Sequence, residues 1–497
     1  MINQYIPKDF KTFLAFFFIL FSFASHAQIG IGTVTPNASS VLDITSTTQG
    51  MLTPRMTTVQ RTAIATPADG LLVYDTDLKA FYFYSSGTSS WVAINSGVSP
   101  RLNFKRIKST DNLAVVLAAE LAAGGGSKYV LNTNTLYEIN GTIVFNFPID
   151  LNNAYIQGLD PNEDVIFRAT GNIFEGSTGG GIKSVTLRAA TGSVFNLSGA
   201  ATENLIFRDS VVANSASVGT VSGFGLVFLS IIQYTGNTNG ITYNNITQLL
   251  LSNLGWFSNN AGTYEKLTGT FTLVEKQGGF SQVDGTAIGF DVSTSGLSIT
   301  GDAVLESVVF TGSNTAGYVK GYTTGSYTGF NFNNSWNVRS AGIPTESDAS
   351  ATGDFAMDYP VGNGLSVAFN TANPSDIVKV GSGTPTTTYS NLFRFTTDAA
   401  NRLKYLGKKK RIFQITGSIS FQVPAAGTYI IYIAKNGSVL SQYKIYGRGQ
   451  ATNDIVVLPL NAGTEMVNGD YIEVYAQRYT GSTTGTIVVP NMTITIK

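Results

Sequence analysis

An apolar triplet returns along the middle of this chain with a period that few architectures can use. It appears as Val165-Ile166-Phe167, Val185-Thr186-Leu187, Leu205-Ile206-Phe207, Leu226-Val227-Phe228, Leu249-Leu250-Leu251, Phe271-Thr272-Leu273, Leu297-Ser298-Ile299 and Val308-Val309-Phe310. Apart from the last, closer step, neighbouring starts fall 20 to 26 residues apart. A repeat of that length is one coil of a solenoid, whose short strand buries its apolar residues only when the next coil stacks on it. Gly-Ser, Asn-Gly and Gly-Asn pairs between the triplets supply the positive-φ corners such a coil requires. The expected fold is therefore all-β, with a right-handed parallel β-helix over residues 101–335. An antiparallel sandwich is the competing architecture, and the scarcity of tight-hairpin signals counts against it.

The flanks read differently. Residues 101–123 carry a helix that Asp111 can cap, with Leu113, Val116, Leu117 and Leu121 on one face and Gly124-Gly125-Gly126 stopping it. Such a helix covers the open end of a solenoid, which otherwise exposes apolar core and unpaired strand edge. Residues 336–390 hold Pro344, Pro360, Pro374 and Pro385 among many Gly and Ser, and read as a connector. Over 391–497 the pattern becomes cleanly alternating, with Ile412–Thr416, Ser418–Val423, Thr428–Ala434, Asp454–Leu458, Tyr471–Tyr475 and Met492–Ile496 as strands. About eight strands in that length point to a jelly roll.

The first 27 residues read as a secretion signal. Lys8 and Lys11 precede an apolar run, Phe13 to Phe23, and Ser25-His26-Ala27 offers small residues at −3 and −1, so cleavage leaves Gln28 first. The run is shorter than the ~20 residues a span needs, and none like it follows, so no membrane span is expected after cleavage. His26 is the chain's one histidine and cysteine is absent. The mature chain thus has neither a Ser-His-Asp or Cys-His nucleophile nor a His- or Cys-ligated metal site, and no cofactor is expected. Cleavage leaves 29 basic against 30 acidic residues, a field too weak to select nucleic acid.

Three resemblances add to this reading. Residues 28–97 run through Gln28-Ile-Gly-Ile-Gly-Thr33, Gly50-Met-Leu-Thr-Pro54-Arg55, Gly70-Leu-Leu-Val-Tyr74-Asp75 and a hairpin from Phe81–Tyr84 to Trp91–Ile94 around Gly87. This order resembles an N-terminal module of exported surface and fibre-like proteins of Bacteroidetes. The repeats resemble the shaft of a phage tailspike. The Lys435-Asn436-Gly437 turn and the strand Asn468-Gly-Asp-Tyr-Ile-Glu-Val-Tyr475 resemble the C-terminal heads of phage tail fibres and tumour-necrosis-factor-like domains. The last resemblance implies a homotrimer, with Tyr429, Tyr432, Tyr471 and Tyr475 around a threefold axis.

Candidate sites are few. Carboxylates on neighbouring coils can serve as acid and base in a polysaccharide depolymerase, and Glu175, Glu203, Asp209, Asp284, Asp291, Asp302 and Glu306 are available; Glu203, Asp209, Asp284 and Asp302 are the ones carried forward. With so few carboxylates in this stretch, each reads better as part of a solvated coil face. Asp160-Pro161-Asn162-Glu163-Asp164 offers oxygen ligands without the Asp-x-Asp-x-Asp-Gly pattern of a calcium loop, and Asp75 and Asp77 read as turn residues. The basic run Lys404, Lys408, Lys409, Lys410 and Arg411 can meet an acidic polymer or simply enter a strand. Trp256, Trp336 and exposed Tyr suit stacking on sugar rings, although half or more of the aromatics belong to the core. The expectation is a secreted, trimeric, non-catalytic surface or fibre protein that recognises a glycan, with the depolymerase as its competitor.

Overall fold

The computed structural model describes residues 12, 28–94, 102–369, 376–381, 388–399, 401–481 and 485–497. The signal expected over residues 1–27 falls outside the described residues except at Thr12. Two compact units divide the chain, Met1–Pro100 and Arg101–Lys497. Among the described residues no helix is long and apolar enough to cross a membrane.

In the first unit a four-stranded sheet orders Arg55–Met56, Leu72–Asp75, Ala80–Ser85 and Ser90–Ala93. The hairpin sets Tyr84 opposite Trp91 and Tyr82 opposite Ala93. A capping box, Thr57 with Gln60, starts the helix Thr58–Thr62. That helix delivers Arg61 to Asp75, which is fully buried and receives the Arg61 Nε–H at 2.9 Å. Asp75 also accepts from Thr58 Oγ1 and from the N–H groups of Asp77 and Leu78. Burial pushes its carboxyl up, but the Leu78 N–H, Arg61, Thr58 and the Asp77 N–H outweigh this and hold it at about 2. Asp75 is thus the buried hub of this unit as well as a turn residue.

The second unit begins as a parallel β-helix. One hydrogen-bonded path of ten strands runs from Phe104–Lys108 to Trp336–Ala341, and a second sheet stacks nine more from Tyr129–Val130 to Val319–Lys320. Every pairing along both is parallel, as in Leu205 beside Val227 and Val227 beside Leu249. The triplets proved to lie on more than one face of the coil. Thr186 pairs with Val211, whereas Leu205 occupies the other arm of the same long strand, Asn204–Ala213. The true step between stacked residues is accordingly a little longer than the spacing of the triplets. The short step to Val308 has the same origin, because Ile299 and Val308 share the strand Ser298–Thr311.

The bend between arms is a column of left-handed residues. Ser184, Asp209, Ile231, Asn253, Gly278 and Ser307 all have φ between 52° and 65°. Below the next corner Asn237 and Asn260 are buried, and each satisfies the neighbouring coil: the Ser215 N–H donates to Asn237 Oδ1 at 3.1 Å, and Asn237 N–H to Asn260 Oδ1 at 3.0 Å. Inside, Trp256 stacks between Tyr234 (3.8 Å) and Tyr264 (5.0 Å). Trp256 and Trp336 are both core residues and are not available to a ligand. Opposite sheets also bring Glu265 and Lys276 together at 2.7 Å in the middle of this apolar spine.

The start of the shaft differs from expectation. Residues 104–108 form its first strand, and the helix is two short pieces, Leu113–Val116 and Ala118–Ala123. Asn112, whose side chain accepts from the Ala114 N–H, is the cap; Asp111 instead accepts from the Lys108 N–H. Leu113 and Leu117 enter the shaft core, and buried Glu120 takes Lys105 Nζ at 2.5 Å and the Tyr137 hydroxyl at 2.8 Å.

Beyond the shaft, two antiparallel sheets enclose a second core. One orders Thr388–Phe393, Thr352–Asp358, Gly485–Ile496, Arg411–Gln422 and Ile455–Met466; the other centres on Tyr471–Gly481 beside Gly427–Lys435. The stretch expected as a connector is divided between the two halves. Trp336–Ala341 is the last strand of the β-helix path, whereas Thr352–Asp358 and Leu365–Phe369 both pair with the terminal strand. Tyr429 points into the sandwich, with Phe421 at 5.9 Å, so it does not line an axis between copies. Tyr432 lies on the other face, buried against Gln477.

Candidate functional site

The sandwich is locked to the end of the shaft by one buried arginine. Arg394 donates to Asn333 O at 3.1 Å, Asn334 Oδ1 at 2.7 Å and Trp336 O at 2.7 Å, and its Nε lies 3.4 Å from Asp348. Burial lowers its pKa, opposed by the charges of Asp348 and Glu346. Glu346, also fully buried, accepts the Asn331 and Phe332 N–H groups at 2.7 and 2.8 Å; burial still leaves its carboxyl above the usual range. The loop between Lys320 and Trp336 is pinned by rings, Phe330 stacking on buried Phe393 at 4.1 Å and Tyr327 meeting it edge-on at 5.2 Å.

This joint leaves a cleft on either side of Asn334, which lines both. The first, about 570 Å³, has Asp302, Asn337, Asp348, Lys408 and Lys409 in its wall. The second, about 1050 Å³, is lined by Tyr327, Phe330 and Tyr389 together with Ser326, Thr328, Ser390, Asn391 and Asp354. Rings beside short amides and hydroxyls form the surface that sugar rings and their hydroxyls fit. Asp354 Oδ2 is held by the Asn391 side chain at 2.5 Å. None of these groups stands in a sequence motif; Tyr327 and Phe330 come from the loop, whereas Tyr389 and Asn391 come from the strand Thr388–Phe393, so spacing along the chain carried no signal.

The carboxylates singled out from the sequence are dispersed. Glu203 accepts the Gly179 N–H at 3.0 Å, and Asp209 is one of the left-handed corner residues. Asp284 accepts both the hydroxyl and the N–H of Ser313 at 2.6 Å, which lowers its pKa. Glu175 accepts from Asn172, buried Asp291 from Ser293, and Glu306 faces Arg339. In the strand register Asp302 lies beside Leu273 and Glu306 beside Gln277, so these two have no carboxylate partner on the preceding coil. Asp164, in the segment weighed for calcium, accepts the Gly141, Leu159 and Asp160 N–H groups, and Asp160 accepts from Asn162. Among the described residues no three carboxylates gather as a metal site.

Most of the basic run is engaged. Lys404 pairs with Asp398 at 3.0 Å, Lys408 with Asp302 at 3.2 Å and Lys410 with Glu465 at 3.1 Å, while Arg411 donates to the Asp348 carbonyl. The run and the shaft carboxylate Asp302 thus meet as two walls of the first cleft.

Comparison with known proteins adds one informative match. Residues 30–111 match the family model described as a phage tail like trimerisation region. A solved structure, the enzymatically active domain of bacteriophage CBA120 tailspike protein 4, is 10% identical, covering 89% of this chain and 77% of that chain with a TM-score of 0.20. No curated protein matches. The chain therefore carries a phage-tail-like trimerisation region that runs into the first strand of a parallel β-helix, and that region supports association of the chain with itself.

Proposed function

We propose that this is an exported, trimeric fibre-like protein that recognises a glycan without cleaving it, through the larger cleft between shaft and terminal sandwich. The observation that carries the reading is the lining of that cleft: the rings of Tyr327, Phe330, Tyr389 and Phe395 among short hydroxyl and amide side chains, with Asp354 its one charged group. The order of the terminal sheets, with first and last strands paired at the centre, supports regarding residues 351–497 as a jelly-roll head carried by a shaft over 104–341. The non-catalytic part rests on the dispersal of the shaft carboxylates, with Glu203 and Asp284 engaged by neighbouring coils and Asp302 by Lys408.

The test is a panel of capsular and cell-wall polysaccharides, read for binding and for new reducing ends. Ser390→Arg fills the cleft from an exposed position and is expected to lower binding at least tenfold while leaving the melting temperature unchanged. Reducing ends that disappear on changing Glu203, Asp209, Asp284 or Asp302 to the amide would instead make the protein a depolymerase.

A further inference from the structure

Strand register places one outward-facing position of the shaft in a single column from coil to coil. Read upward it holds Phe104, Leu136, Tyr155, then Gly181, then Ile206, Phe228 and Leu250. These residues point away from the core, since their strand neighbours Ile107, Tyr137, Ile156, Leu205, Val227 and Leu249 are the ones buried. Tyr155 is 51% exposed and Ile206 38%. The glycine does not break the surface, because the Tyr155 ring lies over it, 2.9 Å from where a Cβ would stand. The ribbon stops at Glu275, the next residue in the column. Two residues along each strand the outward position is polar throughout, from Arg106 and Glu138 to Lys183, Arg208, Ser230 and Ser252.

The outer face of an antiparallel or solenoid sheet normally alternates toward polar side chains, and contiguous apolar surface on it marks a contact. What covers this ribbon is indicated at its lower end. The trimerisation region matched over residues 30–111 extends through Phe104–Lys108, the strand that contributes the ribbon's first ring. We infer that the ribbon from Phe104 to Leu250 is buried against the other copies of this chain, so that trimerisation continues from the N-terminal region up the lower shaft and ends at Glu275. Stacked strands ~4.8 Å apart make a contact of roughly 30 Å over these seven positions. The polar column beside it then becomes the rim, where charged residues remain in water. This inference rests on the trimeric reading proposed above.

Because the chain has no cysteine, single thiols report the contact cleanly. Phe228→Cys places one on the ribbon, and Thr220→Cys places one at an exposed position in the other sheet as the control. Both full-length variants are first checked for trimeric mass by light scattering, then labelled with a maleimide. In the trimer, Cys at 228 is expected to react at least tenfold more slowly than Cys at 220, and to match it once the chain is denatured. Equal rates in a chain that is trimeric by mass overturn the ribbon contact and leave the trimer standing. A monomeric mass for the unaltered protein overturns the trimer itself. A charge on the ribbon, Ile206→Glu with Phe228→Glu, is expected to lower the trimer's resistance to dilution at least tenfold with an unchanged strand signal by circular dichroism; trimers as resistant as the parent would also count against the contact.

Discussion

The shaft and the terminal sandwich are built from similar residues but connect them in opposite ways. In the shaft each strand pairs with the coil before and the coil after it, as Leu205, Val227 and Leu249 do. In the sandwich the pairing closes the whole domain, Gly353 lying beside Ile496 and Ile415 beside the same Ile496. A stack of coils is stabilised by nearest-neighbour terms, so damage spreads only to adjacent coils. A closed sandwich holds strands that are distant in sequence, so one lost contact is felt by both sheets.

The joint between them is where that contrast is tested most severely. Arg394→Ala removes the cation that serves Asn333, Asn334 and Trp336 and leaves buried Glu346 and nearby Asp348 without it. Breaking a buried charge set from one side costs about 3–5 kcal/mol. Chemical denaturation is expected to resolve into two transitions, with the sandwich unfolding first. A single transition would mean that shaft and sandwich are one cooperative unit and that the contrast does not survive.

Within each half the comparison predicts different ranges for similar losses. Trp256→Ala opens the stack between Tyr234 and Tyr264, and Phe413→Ala opens a cluster with Phe395 and Tyr405. Each costs about 3–5 kcal/mol. Hydrogen exchange should rise only in the coils around Trp256 in the first case, and across both sheets in the second. Exchange that rises along the whole shaft would show that its coils are more tightly coupled than neighbour contacts imply.

The shaft carries a charge pair sealed in its spine. Glu265 and Lys276 are both essentially inaccessible and make no hydrogen bond beyond their 2.7 Å contact. Desolvation makes such a pair a weak source of stability, yet removing one member strands the other. Lys276→Met is accordingly expected to lower the shaft's stability by about 3 kcal/mol, while Glu265→Leu combined with Lys276→Leu restores it to the parent value or above. A double variant as unstable as the single one would show that the pair stabilises the spine outright.

Acid separates the halves more gently. Asp164 on the shaft and Asp470 in the sandwich both titrate below the usual carboxylate range, although burial pushes each up. Asp164 is brought down by the Gly141, Asp160 and Leu159 N–H groups, and Asp470 by Asn436, Lys435 and the Val467 N–H. A depressed carboxyl contributes stability that is complete above its unfolded value near 4 and is lost as pH falls through the folded value. Both halves therefore weaken below about pH 4. Added salt should reduce the acid sensitivity of the sandwich alone, because Lys435 pairs with Asp470 at 2.8 Å whereas Asp164 is held by backbone dipoles. Melting curves at pH 3 and 6 in low and high salt decide it.

Legibility in the sequence followed the same division. Each coil repeats one local pattern, so the apolar triplets announced the β-helix, although they merged two faces into one series because both arms of a coil use the same residue types. Thr352–Asp358 was missed as part of the sandwich because its partner, the strand ending at Ile496, lies at the far end of the chain. The aromatic cleft had no spacing to betray it for the same reason, and Trp256 and Trp336 gave no sign of being enclosed, since a solenoid core and a sugar platform draw on the same rings. The resemblance of residues 28–97 to a fibre-like N-terminal module agrees in its fibre-like part with the phage-tail-like trimerisation match over residues 30–111.

The smallest effect concerns a residue that breaks the shaft's own rule. In the left-handed corner column the occupants are Ser184, Asp209, Asn253, Gly278 and Ser307, all small or able to bond locally, except Ile231 with φ 56°. A β-branched residue in that conformation is strained by about 1–2 kcal/mol, and Ile231 is 54% exposed, so its side chain recovers little of this within one chain. Ile231→Asn should raise the shaft's stability by about 1 kcal/mol, and Asn253→Ile should lower it by a similar amount. Glycine at 231 should help less, since it also loosens the unfolded chain. If Ile231→Asn lowers stability in the trimer but raises it under conditions that hold the chain monomeric, the exposed isoleucine is covered by a neighbouring copy. The strain would then be tolerated because assembly, not the single shaft, selects that residue.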